Sequence, residues 1–214
     1  MDYKRTPIIL DALRFVVPLA LLVAGALWWE KTGLAVVLGL LALFVLWFFR
    51  NPERTAPPDP GVIVSPADGR VLKIEEVDED ELLGGTWTKV SIFMSIFNVH
   101  VNRSPCQGVV RAIRYRKGKF FSANMDKAST ENERNSLVIE TDGGTKIAVI
   151  QIAGLIARRI VCWVREEGVL QRGERFGLIR FGSRLEVFMP VDSDVLVKVG
   201  DRVKAGYTKV GKLP

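Results

Sequence analysis

The chain has a single histidine, His100, and only two cysteines, Cys106 and Cys162, far apart in its 214 residues. That scarcity excludes zinc sites built on Cys/His spacing. It also leaves His100 as the one side chain that titrates near neutrality without perturbation. The cysteines sit in a turn-like "SPCQG" and an apolar "RRIVCWV", contexts that favour reduced cytosolic thiols over a disulfide. No nucleotide or metal motif is present, no G-x-S-x-G marks a nucleophile elbow, and no long helical period appears after residue 50. The net charge of +6 suits an anionic membrane surface at least as well as nucleic acid.

What is abundant is apolar sequence at the N-terminus. "FVVPLALLVAGALWW" (15–29) and "LAVVLGLLALFVLWFF" (34–49) carry no charge and are separated by "EKTG". As helices each spans roughly 23 Å against a hydrocarbon core of about 30 Å, a gap that flanking residues or a thinned bilayer would close. No small-residue cleavage site separates the runs, so a removable signal peptide fits poorly. Lys4, Arg5 and Arg14 precede the pair and Arg50 and Arg54 follow it, which predicts both ends on the cytoplasmic side. Residues 1–50 therefore read as a hydrophobic helical hairpin in the cell membrane, spanning or re-entrant. The next segment, 51–61, holds four prolines with Arg50 counted as its start and reads as a stiff spacer.

From residue 62 to 214 the pattern is strand, turn, strand, with β-branched residues and Asp-Gly or Gly-Gly turns. The fold expected is mainly β, a sandwich or barrel-type catalytic domain. "VSPADGRVLKI" and "VLVKVGDRVKAGYTKVGKL" resemble the strand-turn-strand phrases of lipoyl- and biotinyl-type domains, without their modified lysine hairpin. "SANMDKASTENERN" (122–135) is the one candidate for a mobile or irregular loop.

"GLIRFGSRLEVFMP" (177–190) alternates like one half-buried strand, with Arg180, Arg184 and Glu186 on its polar parity. Ser183 falls on the apolar parity, directly after Gly182, a poor strand residue. In "SIFNVHVNRSP", Val99 and Val101 point one way and Asn98, His100 and Asn102 the other, so His100 reads by default as a solvated or structurally hydrogen-bonded residue. Asp68 in "SPADG" reads as a turn aspartate. Together Asp68, His100 and Ser183 supply an acid, a base and a hydroxyl, the parts of a serine-activating triad, although the sequence does not bring them together in space.

"FFRNPER", "SPADG", "FNVHVNRSP", "ENERN", "IAGLIARRIV" and "GLIRFGSR-EVFMP", in that order, make the chain resemble the short-form phosphatidylserine decarboxylases. The resemblance implies a proenzyme that cuts itself between Gly182 and Ser183 into 1–182 and 183–214. Ser183 would become a pyruvoyl group that forms a Schiff base with the amine of phosphatidylserine, with Asp68 and His100 helping to activate it. The implied product is phosphatidylethanolamine, with no metal or nucleotide cofactor. The two fragments would stay associated, and a homo-oligomer is compatible. Longer members of the family have a second histidine where this chain has Phe97, and commonly "LGST" where it has "FGSR"; the proton donor in turnover is left open between His100 and water.

Arg134, Arg158 and Arg159 are candidates to bind the substrate phosphate, and the sequence does not choose among them. "RAIRYRKGK" (111–119), with five positive charges, is either a solvated hairpin face or a contact for anionic headgroups. The rival from another class is a membrane-anchored, non-enzymatic lipoyl-like adaptor, which gives no use to the Gly-Ser strand. Single-stranded nucleic acid binding would need aromatics interleaved with the basic run, and only Tyr115 is there.

Overall fold

The computed structural model describes residues 6–79, 81–155, 159–180 and 182–214. They divide into two compact units, Met1–Glu53 and Arg54–Pro214.

The first unit is a pair of packed helices, α1 (Leu13–Trp28) and α2 (Thr32–Phe48). A 3-10 turn at Leu10–Ala12 leads into α1, so 19 continuous residues, Leu10–Trp28, are long and apolar enough to cross a membrane. α2 has the same character but is 17 residues long. The turn between them closes without glycine. Glu30 takes a left-handed φ of 54°, Lys31 N–H donates to the Ala26 carbonyl and Glu30 N–H to that of Leu27. This is a Schellman cap that stops α1 just past its tryptophans. Leu21, Leu40 and Trp28 are among many large apolar side chains left exposed on the hairpin. A buried hairpin of a soluble core would hide them; a lipid-facing one would not, which supports membrane association.

The second unit is mainly β, with an antiparallel sheet that curls into a half-barrel. The strands are β1 (Val62–Val64), β2 (Gly69–Asp78), β3 (Thr86–Met94), β4 (Val101–Arg103), β5 (Gly108–Arg116), β6 (Arg134–Glu140) and β7 (Lys146–Ala153). There follow β8 (Ile160–Cys162), β9 (Val169–Leu170), β10 (Arg175–Ile179), β11 (Ser183–Pro190), β12 (Asp194–Val195), β13 (Arg202–Val203) and β14 (Lys209–Lys212). Eight of them form one sheet in the order β13-β2-β3-β11-β7-β6-β5-β9; β1-β14-β12 and β4-β10-β8 form two smaller sheets. The two lipoyl-like phrases pair with each other, β1 with β14 and β2 with β13.

The main core packs Val90, Ile92 and Met94 of β3 with Leu185, Val187 and Met189 of β11 and Val149 and Ala153 of β7. The opposite face of the sheet is covered as well: Phe188, Ile150 and Ile152 pack there with Leu82, Leu83 and Trp87. The expected loop at 122–135 contains one helical turn, α3 (Ala128–Glu131), and is pinned rather than loose. Asn132 does the pinning. Its Oδ1 accepts from Phe121 N–H, and its Nδ2 donates to the carbonyls of Phe121 and Ala153.

The proline-rich segment belongs in part to this unit. Arg54 reaches Asp68, Asp59 pairs with Lys209 at 3.0 Å, and Leu213 N–H donates to the Gly61 carbonyl.

Candidate active site

The segment 177–190 is not one strand. β10 ends at Ile179 in one sheet and β11 begins at Ser183 in another, so alternation counted straight through crosses a change of sheet. Gly182 makes the crossing with φ +67°, a conformation that L side chains rarely adopt although there is open space for a Cβ. A second glycine serves the same peptide by its small size. A Cβ on Gly154 would lie 2.3 Å from the Gly182 carbonyl oxygen, so that oxygen rests against Gly154 only because the methyl is missing.

Ser183 opens β11 between Met94 of β3 and Ala153 of β7. It is 0% exposed, and its Oγ donates to the Met94 thioether at 3.3 Å. A thioether is a weak acceptor, so the hydroxyl is buried without a strong bond to hold its proton.

His100 is buried too, at 2%, and hydrogen-bonded, so of the two default readings of its strand, solvated or structurally hydrogen-bonded, the second holds. The approach to it is a turn closed by Asn98, whose Oδ1 accepts from Ser95 N–H and Oγ. The Asn98 carbonyl lies 3.0 Å from His100 Nδ1, and Gly182 N–H donates to Nε2 at 3.2 Å. Those two contacts assign one tautomer: a proton on Nδ1 and a lone pair on Nε2, aimed at the residue before Ser183.

Asp68 sits at the turn between β1 and β2. Its carboxylate is gripped by Arg54, with Nη2 to Oδ2 at 2.8 Å and Nη1 against Oδ1, and it accepts Ala205 N–H at 2.8 Å. The predicted acid therefore stabilises the linker arginine and the β13–β14 turn. It meets the histidine's surroundings at a depression of about 640 Å³ that Asp68 lines together with Phe97 and Asn98. Of the three expected residues, His100 and Ser183 share one peptide neighbourhood, and Asp68 lies beside the turn that orients His100.

The phosphate candidates separate. Arg158 lies outside the described residues. Arg159 is exposed. Arg134 is engaged, with Nη2 on Glu81 at 3.0 Å and Nη1 on the Ser129 carbonyl at 3.0 Å; burial, and then the nearby Arg116, lower its pKa. The basic run is exposed along β5 and largely paired, Arg111 with Glu140 and Glu167 and Lys119 with Glu131. By contrast Arg70, Arg202 and Lys204 line the depression beside Asp68, and Arg70 and Arg202 stand directly opposite each other on β2 and β13. Like charges so placed repel unless an anion joins them.

Several buried polar side chains escaped the sequence reading. Arg184 and Glu186, expected on a polar face, are each 2% exposed and paired at 3.0 Å, with Ser91 and Ser129 bonded to them. Asn102, Gln151 and Asn135 lie in the interior as a chain of amides, Asn135 bonded to Gln151 at 2.9 Å and Gln151 to Asn102 at 2.8 Å. One signal was available: Gln151 interrupts an otherwise apolar run in β7.

A family profile described as phosphatidylserine decarboxylase matches residues 41–211. A protein of Syntrophus aciditrophicus named phosphatidylserine decarboxylase proenzyme is 54% identical over 202 residues, covering 94% of this chain and 95% of that one. Proteins of the same name from Symbiobacterium thermophilum and Geobacter metallireducens are 50% and 47% identical. They cover 100% of this chain and 99% and 100% of their own lengths. The chain belongs to the phosphatidylserine decarboxylase family. Membership makes it an enzyme, a carboxy-lyase, and removes the adaptor and nucleic-acid readings. The match begins within α2 and includes every residue of the site described above. Among the described residues no three His, Cys, Asp or Glu side chains converge as a metal site would require.

Proposed function

We propose that the protein converts phosphatidylserine to phosphatidylethanolamine and carbon dioxide, using a pyruvoyl group made from its own Ser183 after self-cleavage at Gly182–Ser183. The observation that supports this most is a wholly buried serine preceded by a left-handed glycine whose N–H is bonded to the lone histidine.

The chemistry follows from those atoms. Ser183 Oγ attacks the Gly182 carbonyl carbon, the C–N bond breaks, and the acyl group passes to oxygen while the freed nitrogen takes a proton. Removal of the Ser183 Cα proton then expels the Gly182 carboxylate and leaves dehydroalanine. Its imine tautomer takes up water and loses ammonia, giving the ketoacyl terminus of residues 183–214. His100 Nε2 is the base within reach of this peptide once the Gly182 N–H releases it. Burial limits premature hydrolysis of the ester. Asp68 acts at one remove, holding the β13–β14 turn that lines one depression with Asn98.

The residues fit the group. Ser183 lies among side chains that leave its carbonyl-forming carbon shielded from bulk water, and Gly154 leaves space for the preceding carbonyl. Once formed, the pyruvoyl group supplies a carbonyl that captures the substrate amine and an electron sink for the departing carboxylate. The headgroup phosphate is assigned to Arg70, Arg202 and Lys204, with Arg134, Arg158 and Arg159 as the alternatives that the sequence offers. The hairpin holds the enzyme in the membrane with the β domain on the cytoplasmic side. The 183–214 fragment stays in place because β11 is hydrogen-bonded on both edges.

Intact-mass analysis tests the reading. Wild-type protein should give two chains, the smaller with a ketoacyl terminus, and Ser183→Ala should remain one inactive chain. A Ser183→Ala protein cut at the same bond would refute the mechanism.

A further inference from the structure

A histidine serves as a base at one nitrogen only while its proton is kept on the other, and which nitrogen holds it is set by the hydrogen bonds the ring makes. In a serine-activating triad a carboxylate at the far nitrogen does this. Here the carboxylate of Asp68 is already taken up by Arg54 and the Ala205 N–H. His100 Nδ1 instead faces the backbone carbonyl of Asn98 at 3.0 Å. A carbonyl can only accept, so that contact requires the proton on Nδ1 and leaves the lone pair on Nε2, toward Gly182.

The carbonyl in question lies only two residues back along the same chain, so the contact lasts only while the backbone between them is held. The turn Ser95–Asn98 does the holding, and it is closed twice. Asn98 N–H donates to the Ser95 carbonyl at 2.9 Å. Asn98 Oδ1 reaches back to accept from Ser95 N–H at 2.9 Å and from Ser95 Oγ at 2.8 Å. Asn98 Nδ2 takes part in none of these bonds. Both ends of the turn are anchored. Met94, directly before it, ends β3 and stands opposite Ser183 in the sheet, and Val99, directly after it, is buried. The ring and the serine are thereby placed from one strand.

We propose that Asn98 is a positioning residue for self-cleavage: its Oδ1 locks the turn, the locked turn keeps the Asn98 carbonyl on His100 Nδ1, and the Nε2 lone pair stays on the Gly182–Ser183 peptide. The proposal rests on the reading of His100 as the base in that cleavage. Because the side chain works as an acceptor, aspartate can replace it and alanine cannot.

The lone histidine makes the test direct, since nitrogen-15 histidine labels this ring alone. Spectra are recorded at alkaline pH on full-length chains carrying Ser183→Ala, and cleavage rates are measured on the same chains with Ser183 intact. The parent should show a protonated Nδ1 and an unprotonated Nε2. Asn98→Ala should draw the two nitrogen signals toward each other as the second tautomer becomes populated, and should cut about three- to tenfold more slowly. Asn98→Asp should restore the parent spectrum and most of the rate. Ser95→Ala, which removes one of the two bonds to Oδ1, should shift both readouts less and in the same direction. An Asn98→Ala chain with the parent spectrum, or one that mixes tautomers yet cuts at the parent rate, overturns the proposal. Should Asn98→Ala fail to fold, Ser95→Ala decides by the same two readouts. A wild-type chain that never cuts sinks the self-cleavage reading itself, whatever tautomer its ring shows.

Discussion

Replacing Gly154 by alanine would set a methyl carbon 2.3 Å from the Gly182 carbonyl oxygen, 3.1 Å from its carbonyl carbon and 3.2 Å from Ala123 Cβ. Real Cβ atoms essentially never approach within 3.0 Å, so about 0.7 Å of separation has to open. The backbone at 154 is not left-handed, so the penalty is steric. β7, which ends one residue earlier, is bonded on both edges to β6 and β11, whereas the chain at Gly182 is crossing between sheets. The crossing yields more easily, which places the distortion on the peptide proposed to be cut. Overpacking of this kind costs about 1–3 kcal/mol. Expressed wholly in the barrier to self-cleavage, that slows it roughly 5- to 160-fold. Expressed in stability, it lowers Tm by about 2–4 °C per kcal/mol for a domain of this size. The assay is a time course of precursor and fragments after cell-free synthesis. Gly143→Ala is the control, since its Cβ would meet only Thr141 Oγ1 at 3.9 Å. A Gly154→Ala chain that folds and cuts at the wild-type rate would show that the Gly182 carbonyl does not rest on Gly154 when it reacts.

Three further outcomes are expected. The pair Arg202→Gln and Lys204→Gln should raise KM for soluble short-chain phosphatidylserine about tenfold while cleavage proceeds normally; a loss confined to anionic vesicles would instead make these cations a membrane contact. Arg184→Met leaves Glu186 charged and buried, and should destabilise the uncut Ser183→Ala chain by about 3–5 kcal/mol in denaturant melts, with Glu186→Leu added to it restoring most of the loss. Full stability of Arg184→Met would contradict that burial. Burial pushes the Cys106 thiol up to about 12, so iodoacetamide at pH 8 should not label it in the folded protein. Because the folded value is the higher one, its contribution to stability is complete below the unfolded thiol's pKa of about 8.5 and is lost as pH rises towards 12. Rapid labelling of native Cys106 would refute its enclosure.

The hairpin and the β-rich domain were legible because their signals are local: uncharged runs and alternation with Asp-Gly turns. Ser183 after Gly182 was legible for the same reason, as a hydroxyl on an apolar parity beside a permissive residue. The change of sheet between Ile179 and Ser183 was not, since period-two counting cannot register that the chain has turned onto new neighbours. Arg184 and Glu186 were misread because the second face of β11 is covered by segments distant in sequence, including Ser129 of α3, and alternation assumes one wet face. The grip of Arg54 on Asp68 was not legible because Arg54 lay in a stretch read as spacer. The amide chain joins positions 102, 135 and 151, and no local pattern links them.

The position of β11 has a consequence for the protein under the proposed cleavage between Gly182 and Ser183. Uncut, the chain finds its register intramolecularly, with β11 inserted between β3 and β7. Once Gly182 and Ser183 are separated, an unfolded enzyme is two molecules, and recovery requires a 32-residue piece to find the centre of a sheet from solution. Refolding becomes second order and dependent on concentration, in competition with collapse of the larger piece onto its own vacant edges. An enzyme cut as proposed should therefore persist by the slowness of its unfolding, and its heat inactivation should be irreversible where that of the Ser183→Ala chain is not.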